Sequence, residues 1–381
     1  MYGVFVVKCW SYVCCLWVLL CGVNVYAQTC RSYGPGVKTG NIANAQLNES
    51  SGLAASRLNP GAWWSHNDSG GRPRLYALDE KGTHLGTFTV QGASNFDWED
   101  MAAGPCPNGA HCLYIGGFGD NNYIRPNIMI YRVLEPKVDF QNKTNGTTGQ
   151  ADVFTLTYPD GAHNCETLLI HPKTRDIILV TKEKNNTGIV YMLPGDKAPG
   201  KHTLKKVATL NIPGGGTFTG GDISPFGDQV MLRTYNHVFL YAVGSDGIPK
   251  DSNRFGTLTP PAVSQGESLA YDIDGINVLL TTENAPMPIY KLPCVNLPPR
   301  PEPKSEPAVE PVKETSSEPS SEPVTPDAGS PKEQIAEEPS EKEPVVERGC
   351  GCSASSHEDA LGWLCLMVLC VFVGVRRKTK Y

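Results

Sequence analysis

The segment from residue 28 to residue 298 predicts an all-β domain, a five-bladed β-propeller, on three observations. It is rich in Gly, Thr, Val and Tyr, turn signals recur about every ten residues, and no helical periodicity is sustained. Four stretches of seventeen residues align without a gap: SGLAASRLNPGAWWSHN from Ser51, ETLLIHPKTRDIILVTK from Glu166, TGGDISPFGDQVMLRTY from Thr219 and ESLAYDIDGINVLLTTE from Glu267. A fifth copy, EDMAAGPCPNGAHCLYIGGFGDN from Glu99, is lengthened by a cysteine loop. The starts lie 48, 67, 53 and 48 residues apart, a period that accommodates about four short strands per unit, as in a propeller blade.

Residues 1–27 precede this domain. Lys8, an apolar run and the small-residue ending Val25, Tyr26, Ala27 read as a secretory signal peptide. In the first unit the strands are SGLAAS, AWWSHN, RLYALD and GTFTV. The last unit has no fourth strand of its own after Ile289 to Leu292. The unassigned stretch near residues 38–47 is expected to supply it and close the ring.

Residues 299–349 have almost no aromatic or large apolar content, so they cannot bury enough surface to offset chain entropy; they read as a disordered Pro/Glu/Ser-rich stalk. Residues 300–348 hold 13 acids and 6 bases, a net of −7 against −6 for the whole chain. The remainder is nearly neutral, which argues against a nucleic-acid partner. Residues 350–381 carry Cys350 and Cys352, the apolar run ALGWLCLMVLCVFVGV and a basic tail from Arg376. Such a run approaches the ~20 apolar residues of a membrane span, with the basic tail expected on the cytoplasmic side. Of 13 cysteines, the propeller segment keeps Cys30, Cys106, Cys112, Cys165 and Cys294. Cys106 can pair with Cys112 across a short loop, and Cys30 with Cys294 to tie the ends of the domain, leaving Cys165 as a buried thiol.

The first strand of each blade lines the central channel. Its aligned first residues are Ser51, Glu99, Glu166, Thr219 and Glu267. Three carboxylates at one level cannot all stay ionised without a cation; lacking one, their pKa values must rise. Five oxygen-bearing side chains suit Ca²⁺, which takes about 6–8 oxygen ligands at roughly 2.3–2.6 Å. No soft donor is present to favour zinc or copper. The alternative is that these residues cap the strands through local hydrogen bonds. Strand alternation puts Asp97 on the side of Glu99, and turns Trp98 and Asp100 towards neighbouring blades.

The ordered ring Ser51, Glu99, Glu166, Thr219, Glu267, one residue per blade, resembles the central calcium site of the calcium-activated nucleotidase (apyrase) family, with Thr219 in place of a serine. The resemblance covers residues 38–294 and implies an axial Ca²⁺; the family's catalytic segments have no clear counterpart here. The C-terminal end resembles the myxobacterial sorting signal, which implies anchoring at the cell surface or outer envelope.

The second strands end in polar clusters expected at one mouth of the channel: His66, Asn67 and Asp68; Asp120, Asn121 and Asn122; Lys182, Glu183 and Lys184; Arg233, Thr234 and Tyr235; Thr282, Glu283 and Asn284. Asp68, Asp120, Asn121, Lys182, Arg233 and Glu283 are the expected ligand-binding residues. The first functional expectation is a recognition module for a carbohydrate, peptide or phosphate ester. The second is a Ca²⁺-dependent phosphohydrolase in which Asp68, Asp120 or Glu283 orients water while Lys182 and Arg233 hold phosphate oxygens. A serine hydrolase is disfavoured because no G-x-S-x-G occurs, and no P-loop or dinucleotide fingerprint is present.

Overall fold

A computed structural model of the protein describes residues 29–296. The expected signal peptide, stalk, Cys350 and Cys352, and membrane span lie outside these residues. Among the described residues, no helix is long and apolar enough to cross a membrane.

Five sheets make a five-bladed propeller. Blade one consists of Ser50–Ala55, Ala62–Asn67, Arg74–Asp79 and His84–Gln91. Blade two consists of Asp100–Pro105, His111–Gly117, Ile128–Leu134 and Asp152–Thr157. Blade three is Cys165–Ile170, Ile177–Thr181, Thr187–Leu193 and Lys205–Asn211. Blade four is Gly220–Ile223, Gln229–Arg233, Val238–Ala242 and Arg254–Leu258. Blade five takes Leu269–Tyr271, Val278–Leu280 and Pro288–Leu292 from the end of the domain and Val37–Asn41 from its start. That last strand pairs antiparallel with Pro288–Leu292, so the ring closes as expected, over a shorter stretch than residues 38–47.

Two blades are wider than the expected four strands. Thr144–Gln150 adds in parallel to the outer edge of blade one, and Gly200–Thr203 to that of blade two. Each comes from the chain between later strands and covers an edge that would otherwise present unpaired N–H and C=O groups. The first of these accounts for the long interval between Glu99 and Glu166.

Alternation within the strands explains how one sheet serves two neighbours. Trp64 packs with Trp98, Met101 and Leu113 between blades one and two, whereas the adjacent Trp63 packs with Ala270 and Leu279 between blades five and one. Leu168 and Leu169 divide likewise between blades two and four. Five apolar clusters result, one for each interface, and no single central core. Each first strand packs against the first strands of both neighbouring blades, forming the wall of the channel. Disulfides join Cys30 to Cys294 and Cys106 to Cys112, and Cys165 is a free, buried thiol.

Candidate metal centre and channel mouth

The register of the first strands brings Ser51, Glu99, Glu166, Thr219 and Glu267 to the same end of the channel, and all five are buried, none more than 5% exposed. The two hydroxyls brace the ring. Ser51 Oγ donates to the Glu99 carbonyl at 2.5 Å and lies 3.5 Å from Glu267 Oε2, while Thr219 Oγ1 donates to the Gly266 carbonyl at 3.1 Å. Both hydroxyls thus tie the start of one first strand to the start of a neighbouring blade's, rather than capping their own strand locally.

The carboxylates repel one another. Burial, then Glu166, Asp68, Asp97 and Glu267, raises the pKa of Glu99 well above the ordinary range. Burial, then Glu166 and Glu283, pushes Glu267 up to about 8. Glu166 is pushed up to about 7, burial outweighing the ammonium of Lys182 beside it. Lys182 Nζ sits 2.6 Å from Glu166 Oε1 and donates to Tyr235 Oη at 3.2 Å; Tyr235 in turn donates to Glu267 Oε1 at 3.3 Å. Burial alone would lower the pKa of Lys182, but the Glu166 carboxylate overrides it and keeps the ammonium charged. Glu166 Oε2 is fully buried and has no hydrogen-bond partner. A buried carboxylate oxygen in that state is open to a proton or to a hard cation. Among the described residues the Glu99, Glu166 and Glu267 oxygens do not all come within 4.8 Å of one another, as those of Asp68, Asp97 and Glu99 do.

The six residues expected at the mouth fall into three sets. Asp68, half-buried, stands with Asp97 and Glu99 such that one carboxylate oxygen from each lies within 4.8 Å of the others. Burial, then Asp97 and Glu283, pushes Asp68 up to about 7. Glu283 is half-buried, accepts from Gln265 Nε2 at 2.6 Å, and has its pKa raised first by burial and then by Glu49. Lys182 joins this group through Glu166. Asp120 and Asn121 are instead occupied in shaping a loop. Asp120 Oδ2 accepts the Arg125 N–H at 2.7 Å, and its own N–H donates to Asn164 Oδ1 at 2.7 Å. The exposed Asn121 accepts from Asn164 Nδ2 at 3.2 Å.

Arg233 is enclosed and does not reach the mouth: it is 1% exposed, and its Nη1 donates to the Ser268 and Thr281 carbonyls at 2.7 and 3.0 Å. A Cβ on Gly266 would lie 1.9 Å from its Nη2, so a glycine there makes room for the guanidinium. Burial lowers its pKa to about 10, partly offset by Glu267. Its charge serves the junction of blades four and five.

Asp97 and Tyr235 enter the site more directly than their sequence positions announce. Alternation from Glu99 signals Asp97; for Tyr235 the only signal is its place two residues beyond a strand end. Trp98 is fully buried and packs edge-on against His66, with ring centroids 5.4 Å apart. Asp100 turns to the next blade, its Oδ2 accepting the Leu168 N–H at 2.9 Å.

No family model matches the sequence, and no curated protein does. Among solved structures, a chain in "Crystal Structure of Mitotic Checkpoint Complex" matches at 15% identity and a TM-score of 0.33. The match covers 65% of this chain and 62% of that one, under two thirds of its length. So slight a likeness says nothing of what this chain binds. The protein's class is given by its own strand order: a five-bladed β-propeller with a buried acidic ring at one end of its channel, an architecture compatible with a ligand-binding module.

Proposed function

We propose that the protein is a ligand-binding or recognition module, held at the cell surface through its C-terminal end, whose propeller carries an axial Ca²⁺. The observation that carries the metal is Glu166 Oε2, a buried carboxylate oxygen without a partner, whose charge acts on both Glu99 and Glu267. Glu99, Glu166 and Glu267 would hold the ion, with the Ser51 and Thr219 hydroxyl oxygens completing an all-oxygen set. Bound Ca²⁺ would neutralise the ring and leave a Lewis-acidic position for an anionic or hydroxyl group of a ligand. The protein's own contribution is to fix the acids on five rigid strands and to keep Lys182 against Glu166. Asp68, Glu283 and Lys182 border the opening where a carbohydrate, peptide or phosphate ester would dock. Surface anchoring rests on the sequence resemblance at the C-terminal end.

The phosphohydrolase alternative is the weaker reading. Of its two phosphate-holding cations, Arg233 is enclosed and Lys182 is engaged by Glu166. Two measurements test the proposal. Calcium should raise the melting temperature of the wild-type protein, and Glu166→Gln should cut that rise. Melting indifferent to both calcium and chelator would remove the axial ion. Calcium-dependent release of phosphate from nucleotides, lost in Asp68→Ala with the fold intact, would make the protein an enzyme instead.

A further inference from the structure

Glu99 faces the axial ring on one side and a second group of acids on the other. We propose that Asp68, Asp97 and Glu99 form a second site for a hard divalent cation at the channel mouth, sharing Glu99 with the axial one. This inference rests on the axial reading, since a shared ligand presupposes both ions.

Four observations carry it. The three side chains offer carboxylate oxygens that all lie within 4.8 Å of one another. Glu99 is only 5% exposed, its charged neighbours are all acids, and its carboxylate accepts no hydrogen bond among the described residues. Asp68 Oδ1 is likewise buried without a partner. Space has been kept for these groups: a Cβ on Gly119 would lie 2.1 Å from Glu99 Oε1 and 2.5 Å from Asp97 Oδ2.

The protein's own cations offset the cluster only in part: Arg125 draws the pKa of Asp97 down against the rise that burial causes. Arg125, on the neighbouring loop, turns its guanidinium to the Gly119 and Gly117 carbonyls at 2.6 and 3.1 Å and stacks 5.0 Å from the Phe96 ring centroid. Lys182 is held by Glu166. Six carboxylates (Asp68, Asp97, Glu99, Glu166, Glu267 and Glu283) stand together here, and the cations that act on them are Arg125, Lys182 and Arg233. The donors are all carboxylate oxygens, which selects a hard ion such as Ca²⁺ and leaves water to fill the shell.

Isothermal titration of CaCl₂ into the chelator-stripped full-length protein reads the stoichiometry directly. Two ions per chain are expected in the wild type, one in Asp97→Asn, one in Glu166→Gln and none in Glu99→Gln. Gly119→Ala, which crowds the same carboxylates without removing one, should also fall to one. Melting in chelator identifies any variant that has merely lost its fold, and the remaining variants then decide. A single ion, lost in Glu166→Gln and kept in both Asp97→Asn and Gly119→Ala, overturns the second site and leaves the axial one standing. No ion in the wild type overturns both.

Discussion

Glu166 and Glu267 show how burial turns a carboxylate into a pH-sensitive liability. Their pKa values move from 4.5 to about 7 and about 8, and that of Asp68 from 3.8 to about 7. Between the unfolded and folded values the metal-free protein binds more protons than its unfolded chain, so stability falls as pH rises through that interval. The melting temperature in chelator should decline from about pH 4 to about pH 8 and then level off; on the proposed reading, saturating calcium should flatten the decline. Glu135 presents the opposite case, a carboxylate saturated with donors. It accepts from Trp64 Nε1 at 2.8 Å, from the Arg57 and Leu58 N–H groups at 3.1 Å each, and from Ser56 Oγ. Glu135→Ala strands several buried donors and should cost about 3 kcal/mol or more in urea unfolding. The ring acids were legible in the sequence because the repeat period fixes their register. The fate of Arg233 was not. A basic residue at a strand end reads alike whether it meets water or two carbonyls, and the space that decides between them is left by a glycine 33 residues away.

Strands of neighbouring blades are fastened by two aspartates that act alike from different registers. Asp100 accepts from the Met101 and Leu168 N–H groups, and Asp222 from those of Ile223 and Tyr271. Each spans from one first strand to the next with both oxygens. Asp222→Asn would aim an NH₂ group at one of those donors and should cost about 1–3 kcal/mol, measured by the urea midpoint at unchanged m-value. The four strands expected for blade one match those observed, because each is a short apolar run bounded by turn residues. The edge strands Thr144–Gln150 and Gly200–Thr203 escaped detection. Neither has the alternating apolar pattern of a half-buried strand; backbone pairing at an exposed edge needs none.

Closure of the ring joins residues separated by most of the domain. Val37–Asn41 pairs with Pro288–Leu292, Tyr33 bridges to Cys294, and Cys30 bonds to Cys294 across 264 residues. Replacing both cysteines with serine removes a cross-link between the domain's ends and should cost about 2–4 kcal/mol, read as a lowered melting temperature that reductant also produces in the wild type.

The same closing strand dictates an order of events during synthesis. Residues 37–41 are the first propeller strand to leave the ribosome, yet their partner strand is made about 250 residues later, so blade five cannot form until the domain is nearly complete. Until then Val37–Asn41 is an orphan strand and blade four faces no neighbour on its far side. Chains interrupted before Leu269 would carry both defects at once, and would present them to quality-control proteases as the mark of an unfinished ring.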